Sequence, residues 1–220
     1  MRKRFHQSLD ELKEKLLVMA GFAEQAIQRS IEAYRTRDPQ LVELVRRSEP
    51  AINRLEREID STALDLLAME QPMAVDLRFI LSVIRINADL ERVGDLAVNI
   101  AIRAGETNEL PQVDLPVDIP RMGLLAAAMV RKSLEAFIDG DADLAEGVLA
   151  LDDEVDALNS AAFHVLSNVI RHQPQYTSQA LHAMLIARNL ERVGDHATNI
   201  AEDVIFWVKG QDVRHAVNAA

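Results

Sequence analysis

The sequence predicts an all-α protein built from two tandem, sequence-related three-helix bundles, six long helices in total. Three observations predict this fold. The hydrophobic content is 49% but the aromatic content only 4%, so Ala, Leu, Val and Ile carry the apolar fraction, a composition typical of helices. Apolar residues recur at helical spacing, for example at Leu90, Val93, Ala97 and Ile100. The third observation is an internal repeat.

The repeat is nearly identical in its two copies. Residues 90–101 read LERVGDLAVNIA and residues 190–201 read LERVGDHATNIA, so ten of the twelve positions are the same. Such a match indicates a duplicated structural unit. Between the copies, residues 105–120 contain one glycine and three prolines, a composition typical of a linker. We therefore expect a first bundle over residues 1–108 and a second over residues 116–220.

Start and stop signals divide each copy into three helices. Asp38-Pro39 places a capping carboxylate before a proline in the first helical turn, and Gly140-Asp141 ends one helix and caps the next. Pro72 and Pro174 separate the second and third helix of each copy. The helices are predicted over residues 4–36, 39–70, 73–106, 117–139, 141–171 and 175–209.

One residue conflicts with this pattern. Pro50 lies inside the second predicted helix, where a proline costs about 3 kcal/mol and removes a backbone hydrogen bond. The sequence therefore predicts that this helix either bends or breaks near Arg46.

Composition and motifs exclude several functions. The net charge of −11 argues against nucleic acid as a partner, and the lack of cysteine excludes thiolate metal sites. No apolar signal core and no run of about 20 apolar residues is present, so we expect a cytoplasmic protein. The chain contains no GxxxxGK(S/T) loop, no Glu-x-x-His pair and no GxSxG elbow. The residues indicate a binding surface and not an enzyme.

The repeated segment places two carboxylates on one helical face. Glu91 and Asp95 are four residues apart, as are Glu191 and Asp195, so each pair stacks along a helix. The apolar stripe lies on a different side, so the carboxylates should be at the rim of each bundle. Like charges at this spacing repel unless a cation bridges them, and hard cations and iron prefer such oxygen ligands.

The second helix of each copy supplies further oxygen ligands. Asp152 and Asp156 are four apart in copy two, and the matching residues in copy one are Glu49 and Asn53. Antiparallel neighbours can bring each pair beside the pair on the third helix. The candidate metal ligands are Glu49, Asn53, Glu91, Asp95, Asp152, Asp156, Glu191 and Asp195.

Two simpler interpretations remain open. Carboxylates at this spacing are common on solvated helices, and Arg92 and Arg192 could pair with them in a structural salt-bridge patch. Gly94 and Gly194 are interpreted as points of close helix packing, with room for a ligand as the second choice. The histidines at 182 and 196 are interpreted as surface or packing residues.

The paired ERVGD segments, the acidic pairs on the preceding helices and the tail Phe206-Trp207-Val208-Lys209-Gly210-Gln211-Asp212-Val213-Arg214-His215 closely resemble the PhoU family of bacterial phosphate transport system regulatory proteins. The resemblance covers essentially the whole chain. It implies negative regulation of the phosphate-starvation response, with the phosphate ABC transporter ATPase and the phosphate sensor histidine kinase as partners. It also implies a homodimer that is peripheral to the membrane through those partners.

The resemblance further implies metal ions bound by E(D)xxxD motifs, in some cases as iron clusters, with zinc, manganese, magnesium or nickel as other choices. Asn53 departs from the fullest motif, where the family has Asp, so we expect tighter metal binding in copy two. Two alternative functions stay open at this point. One is a metal-dependent enzyme that uses the carboxylate clusters, and the other is a metal-free structural adaptor.

Overall fold

The predicted all-α fold is confirmed. The computed structural model describes residues 2–213, with side chains from Phe5 onward, so Arg214 and His215 of the tail motif lie outside the described residues. The long helices are α1 (Arg2–Thr36), α2 (Pro39–Glu70), α3 (Val75–Asn108), α4 (Ile119–Asp139), α5 (Ala142–His172) and α6 (Thr177–Lys209). A 3₁₀ turn over Pro174–Tyr176 precedes α6, and the described part of the chain contains no strand.

Aspartate caps fix where three helices begin. The Asp38 side chain accepts a hydrogen bond from the Gln40 backbone N–H at 2.8 Å. The Asp141 side chain accepts hydrogen bonds from the backbone N–H groups of Asp143 and Leu144, at 3.0 Å each. It directly follows Gly140, which ends α4 with a φ of +63°. Asp118 accepts from the Arg121 N–H at 3.0 Å, which is why α4 begins two residues later than predicted. These bonds satisfy backbone donors that a helix start leaves free.

The turn between α2 and α3 is longer than predicted. Gln71 adopts the left-handed helical conformation and Ala74 also has a positive φ, at +47° and +44° respectively. Helix α3 therefore begins at Val75 and not at residue 73. Pro72 marks the turn, but neither Gln71 nor Ala74 is a glycine, so composition does not show that the turn extends to residue 74.

The predicted alternative of a break at Pro50 is wrong, because α2 runs through it without interruption. Pro50 is exposed, so the carbonyl of Arg46 that loses its usual donor lies on the solvent side of α2.

The two bundles share one hydrophobic core. Helices α1–α3 form the first bundle and α4–α6 the second, and α3 packs on α6 while α1 packs on α4. Helix α2 contacts only α1 and α3, and α5 contacts only α4, α6 and the 3₁₀ turn, among the described residues. Helices α2 and α5 therefore lie on opposite outer sides of the molecule.

Contacts along α3 and α6 show that these helices are antiparallel. The Arg78 Nε donates to the Trp207 carbonyl at 3.1 Å near one end, and His182 Nδ1 lies 3.4 Å from Glu106 Oε2 near the other. Helices α1 and α4 also pack closely at one point, since a Cβ at Gly123 would lie 2.6 Å from the Ile31 side chain.

An aromatic cluster joins the bundles at one end. Phe79 of α3 lies 5.1 Å from Trp207 of α6 and 5.8 Å from Phe137 of α4, measured between ring centroids. Contacts of this kind are worth about 1 kcal/mol each beyond the area they bury. The described helices include none that is both long enough and apolar enough to cross a bilayer.

Candidate metal centre

Three carboxylates converge between α5 and α6. Asp152, Asp156 and Asp195 each offer one oxygen, and these three oxygens lie within 4.8 Å of one another. The first two residues are one turn apart on α5, and the third comes from the repeated segment on α6. Within the described residues this is the one group of three or more Asp, Glu or His side chains that meets this spacing.

Gly194 allows α6 to lie close to α5 at this point. A Cβ at this position would stand 3.6 Å from Asp152 Oδ1 and 3.5 Å from Val155 Cγ1, which is ordinary van der Waals contact. A small side chain would therefore fit here. The counterpart in the first bundle, Gly94, is tighter, because a Cβ there would lie 2.8 Å from Ile52 Cδ1. Close packing, the preferred interpretation from sequence, thus accounts for Gly94 better than for Gly194.

The cluster carries negative charge that neighbouring side chains offset only in part, since burial and Asp156 raise the pKa of Asp195 more than His196 and Arg192 lower it. Asp152 Oδ1 is buried and has no hydrogen-bond partner among the described residues. Burial, followed by repulsion from Asp156 and Asp195, raises the pKa of Asp152 from 3.8 to about 6. Burial and the Asp156 charge also raise the pKa of Asp195. An orphaned carboxylate oxygen beside two others is a donor set that fits a hard cation.

Glu191 is the fourth carboxylate of this patch. It lies one turn before Asp195, and its pKa is raised by burial and then by the charges of Asp195 and Asp156. Arg188 and Arg192 act in the opposite direction on this pKa. Three of the four predicted side chains therefore have oxygens within 4.8 Å of one another in the second bundle, whereas Glu191 interacts with them electrostatically but is outside that group. The role of all four as ligands stays a prediction.

The first bundle assembles its oxygen ligands more loosely. Burial raises the pKa of Glu91, and the charges of Asp95, Glu56 and Glu49 raise it further. Asn53 Oδ1 is buried and has no hydrogen-bond partner among the described residues, so the amide can offer an oxygen but no charge. No three carboxylates of the described first bundle lie as close together as those between α5 and α6.

Sequence reasoning missed Glu56. The repeat aligns it with Asn159 of copy two, so a comparison of copies gave no acidic partner. Glu56 is seven residues from Glu49, about two helical turns, so both lie on one face of α2. That spacing could have identified Glu56 as a neighbour of the carboxylate patch.

The salt-bridge interpretation finds no support at Arg92. This side chain lies 4.0 Å from Asp89, and the described residues include no ion pair within 4.0 Å between Arg92 and the carboxylates of the repeated segment. Asp89 belongs to a contact between the bundles, because its Oδ1 lies 2.8 Å from His196 Nδ1 and 3.3 Å from Asn199 Nδ2. His196 is thus a packing residue and not a surface residue, since it is only 8% exposed.

Comparisons with known proteins agree with this architecture. A family model described as "PhoU domain" matches residues 16–104 and 119–204. The chain is 38% identical over 216 residues to a Pseudomonas aeruginosa protein named "phosphate-specific transport system accessory protein PhoU homolog", covering 97% of this chain and 88% of that protein.

Two crystal structures share the fold along nearly the whole chain. PhoU from Pseudomonas aeruginosa has a TM-score of 0.89 at 36% identity, covering 94% of this chain and 100% of that one. The phosphate transport system regulatory protein PhoU from Streptococcus pneumoniae has a TM-score of 0.84 at 26% identity, covering 95% and 99%. The chain belongs to the PhoU family and contains the PhoU domain twice.

Proposed function

We propose that this protein is a cytoplasmic negative regulator of the phosphate-starvation response. It modulates phosphate uptake and links the phosphate ABC transporter ATPase to the sensor histidine kinase, without catalysis of its own. The observation that carries this proposal is similarity over the whole chain to proteins named as accessory or regulatory components of phosphate transport. A homodimer that reaches the membrane only through its partners belongs to the same proposal.

Co-purification tests the partner assignment. Tagged protein from phosphate-replete cells should retain both the transporter ATPase and the sensor kinase. If the tagged protein is folded, as judged by circular dichroism, but retains neither the ATPase nor the kinase, the regulatory link is refuted. Sedimentation of the same sample reports whether the chain is a dimer.

We further propose that the carboxylate patches bind metal ions, with the tighter site in the second bundle. Asp152, Asp156, Glu191 and Asp195 would hold the ion there, and Glu49, Asn53, Glu91 and Asp95 would form the weaker site. The orphaned Asp152 Oδ1, within reach of two further carboxylate oxygens, supports this assignment most directly. A bound hard cation supplies positive charge that offsets the repulsion among these groups.

Elemental analysis of purified variants tests the metal sites. The double variant Asp152→Ala/Asp156→Ala should lose most of the bound iron, zinc or manganese, while Glu91→Ala/Asp95→Ala should lose less. Asp153→Ala is the matched control, because Asp153 is an exposed neighbour on α5 outside the cluster. Equal metal content in the first variant and the control would refute the assignment.

The two alternative functions give different results in the same samples. A metal-dependent enzyme would hydrolyse phosphate esters with iron, manganese or magnesium, and would lose that turnover with Asp152→Ala. A metal-free adaptor would contain no stoichiometric metal but would still retain its partners.

A further inference from the structure

A groove of about 720 Å³ lies between α5 and α6, next to the carboxylate cluster. Phe163, Leu181 and Leu185 line it and are 60%, 47% and 43% exposed. A single exposed apolar side chain is ordinary on a protein surface, but several that converge on one concave surface indicate a binding site. We call this the α5–α6 groove.

The polar end of the α5–α6 groove carries both signs of charge. Arg188 and Arg192 line it and are exposed, and neither forms an ion pair within 4.0 Å in the described part of the chain. Glu191 and Asp195 line the same end, so the groove opens directly onto the candidate metal ligands. An occupant would therefore contact apolar side chains at one end, and arginines beside carboxylates at the other.

The first bundle does not reproduce this surface. The repeat places Asp60 where the groove has Phe163, and Arg85 and Ala88 where it has Leu185 and Arg188. Arg85 is already engaged, because its Nη1 lies 3.2 Å from Asp203 Oδ1 across the bundle interface. The groove is thus a property of the second bundle and not of the duplicated fold.

We propose that the α5–α6 groove binds an amphipathic helix of another protein, with its apolar face on Phe163, Leu181 and Leu185 and a carboxylate on Arg188 and Arg192. The surface between two neighbouring helices forms a natural groove for the apolar face of a third. Arginine favours carboxylates because its guanidinium donates two parallel hydrogen bonds to them. Because Arg188 and Arg192 have no ion-pair partner within 4.0 Å in the described part of the chain, we expect the occupant to carry negative charge at this end.

The neighbouring carboxylates make this docking depend on metal. Glu191 and Asp195 would repel an incoming acidic side chain, and a cation at the cluster would cancel that repulsion. Acidic helices should therefore bind the metal-loaded protein more tightly than the metal-free protein. This dependence rests on the metal site proposed above, whereas the apolar contact and the arginine contact do not.

Peptide display tests the chemistry of the occupant. A random-peptide library is selected on manganese-loaded wild-type protein and counter-selected on Phe163→Asp, which introduces the residue of the first bundle. Peptides with apolar residues at helical spacing and at least one Glu or Asp should be enriched. A labelled enriched peptide should bind Phe163→Asp at least about tenfold more weakly, a difference of about 1.4 kcal/mol. Leu124→Asp, which alters an exposed apolar residue on α4 outside the groove, should bind it normally.

The charge contact is tested with the same peptide. Arg188→Ala/Arg192→Ala should weaken binding about tenfold, and this loss should shrink when the acidic residue of the peptide is replaced by its amide. Enriched peptides without acidic residues, or equal binding by wild type and Phe163→Asp, would overturn the proposal. Wild-type self-association that Phe163→Asp abolishes would overturn it too, because the occupant would then be a second copy.

Removal of the metal separates the two proposals. If the cluster holds a cation, removal of the metal by a chelator should weaken binding of the peptide about tenfold. If elemental analysis finds no metal in the protein, the metal site is refuted. If the protein contains metal but peptide binding is unchanged by Phe163→Asp and by Arg188→Ala/Arg192→Ala, only the docking proposal is refuted.

Discussion

Asp152→Asn should make the metal-free protein more stable and the metal-loaded protein less stable. Asp152 carries a buried, orphaned oxygen, and its pKa rises from 3.8 to about 6 in the folded state. A carboxyl group with a raised pKa binds its proton more tightly in the folded chain than in the unfolded chain. Ionisation of Asp152 therefore costs folding free energy as the pH rises from about 4 to about 6, and the cost stays constant above that range.

The size of the effect follows from the pKa values. One pKa unit corresponds to about 1.4 kcal/mol, so the shift at Asp152 corresponds to about 3 kcal/mol before solvent screening. Asp152 is only half-buried, and we reduce the figure to about 1 kcal/mol. For a chain of this size that change raises Tm by about 2–4 °C at neutral pH. The gain should shrink as the pH falls below about 6 and disappear near pH 3, where the wild-type carboxyl group is protonated in both states.

Bound metal should reverse the sign. A cation at about one hundred times its dissociation constant stabilises the wild type by about 2.7 kcal/mol, and Asp152→Asn loses most of that gain. Urea unfolding followed by circular dichroism, with chelator and with manganese, measures both differences. Asp153→Asn is the control, because it removes the same formal charge from an exposed position. Its charge raises the pKa of Asp152 less than those of Asp156 and Asp195 do, so it should change stability by less than Asp152→Asn. A destabilised Asp152→Asn in chelator, or an equal change in the control, would refute the reasoning.

Three other outcomes test separate parts of the structure. Metal affinity, measured by titration calorimetry, should be nearly constant above about pH 6.5 and fall about tenfold per pH unit below pH 6, because the ion must then displace a proton; constant affinity down to pH 5 would contradict this. Gly194→Ala should be neutral or should stabilise the metal-free protein by up to about 1 kcal/mol. Gly94→Ala should lower the free energy of unfolding by about 1–2 kcal/mol because the new Cβ meets Ile52 at 2.8 Å, and equal effects of the two changes in urea unfolding would contradict the packing difference. His196→Leu, which introduces the residue of copy one, should destabilise by about 2 kcal/mol because Asp89 stays buried without its main partner. Asp89→Asn should recover part of that loss, and a neutral His196→Leu would show that the contact contributes nothing.

The sequence predicted features that depend on local chemistry. The repeat and the helical spacing were sufficient for the two bundles, and Asp38 and Asp141 cap their helices as expected. The rim position of the carboxylates also followed, since Asp95 and Asp195 are exposed. Each of these features depends on a few residues that are close in the sequence. The period of the α-helix determines which of those residues share a face.

Features that depend on distant residues were not predicted. Asp89 and His196 are 107 positions apart, and helical periodicity defines the face of each helix but not the rotation of one bundle against the other. The positive φ of Ala74 carries no compositional signal. The distances among Asp152, Asp156 and Asp195 depend on how closely α5 approaches α6, which side-chain pattern alone does not determine.

The shared core has a consequence for how the molecule can be divided. Ile31 of α1 fills the space at Gly123 of α4, and Phe79 of α3 packs between Phe137 and Trp207 of the second bundle. A half-length chain would expose these surfaces to water, so each half should be unstable or should pair with another half. The duplication therefore resembles a dimer within one chain, in which the two halves complete each other's core.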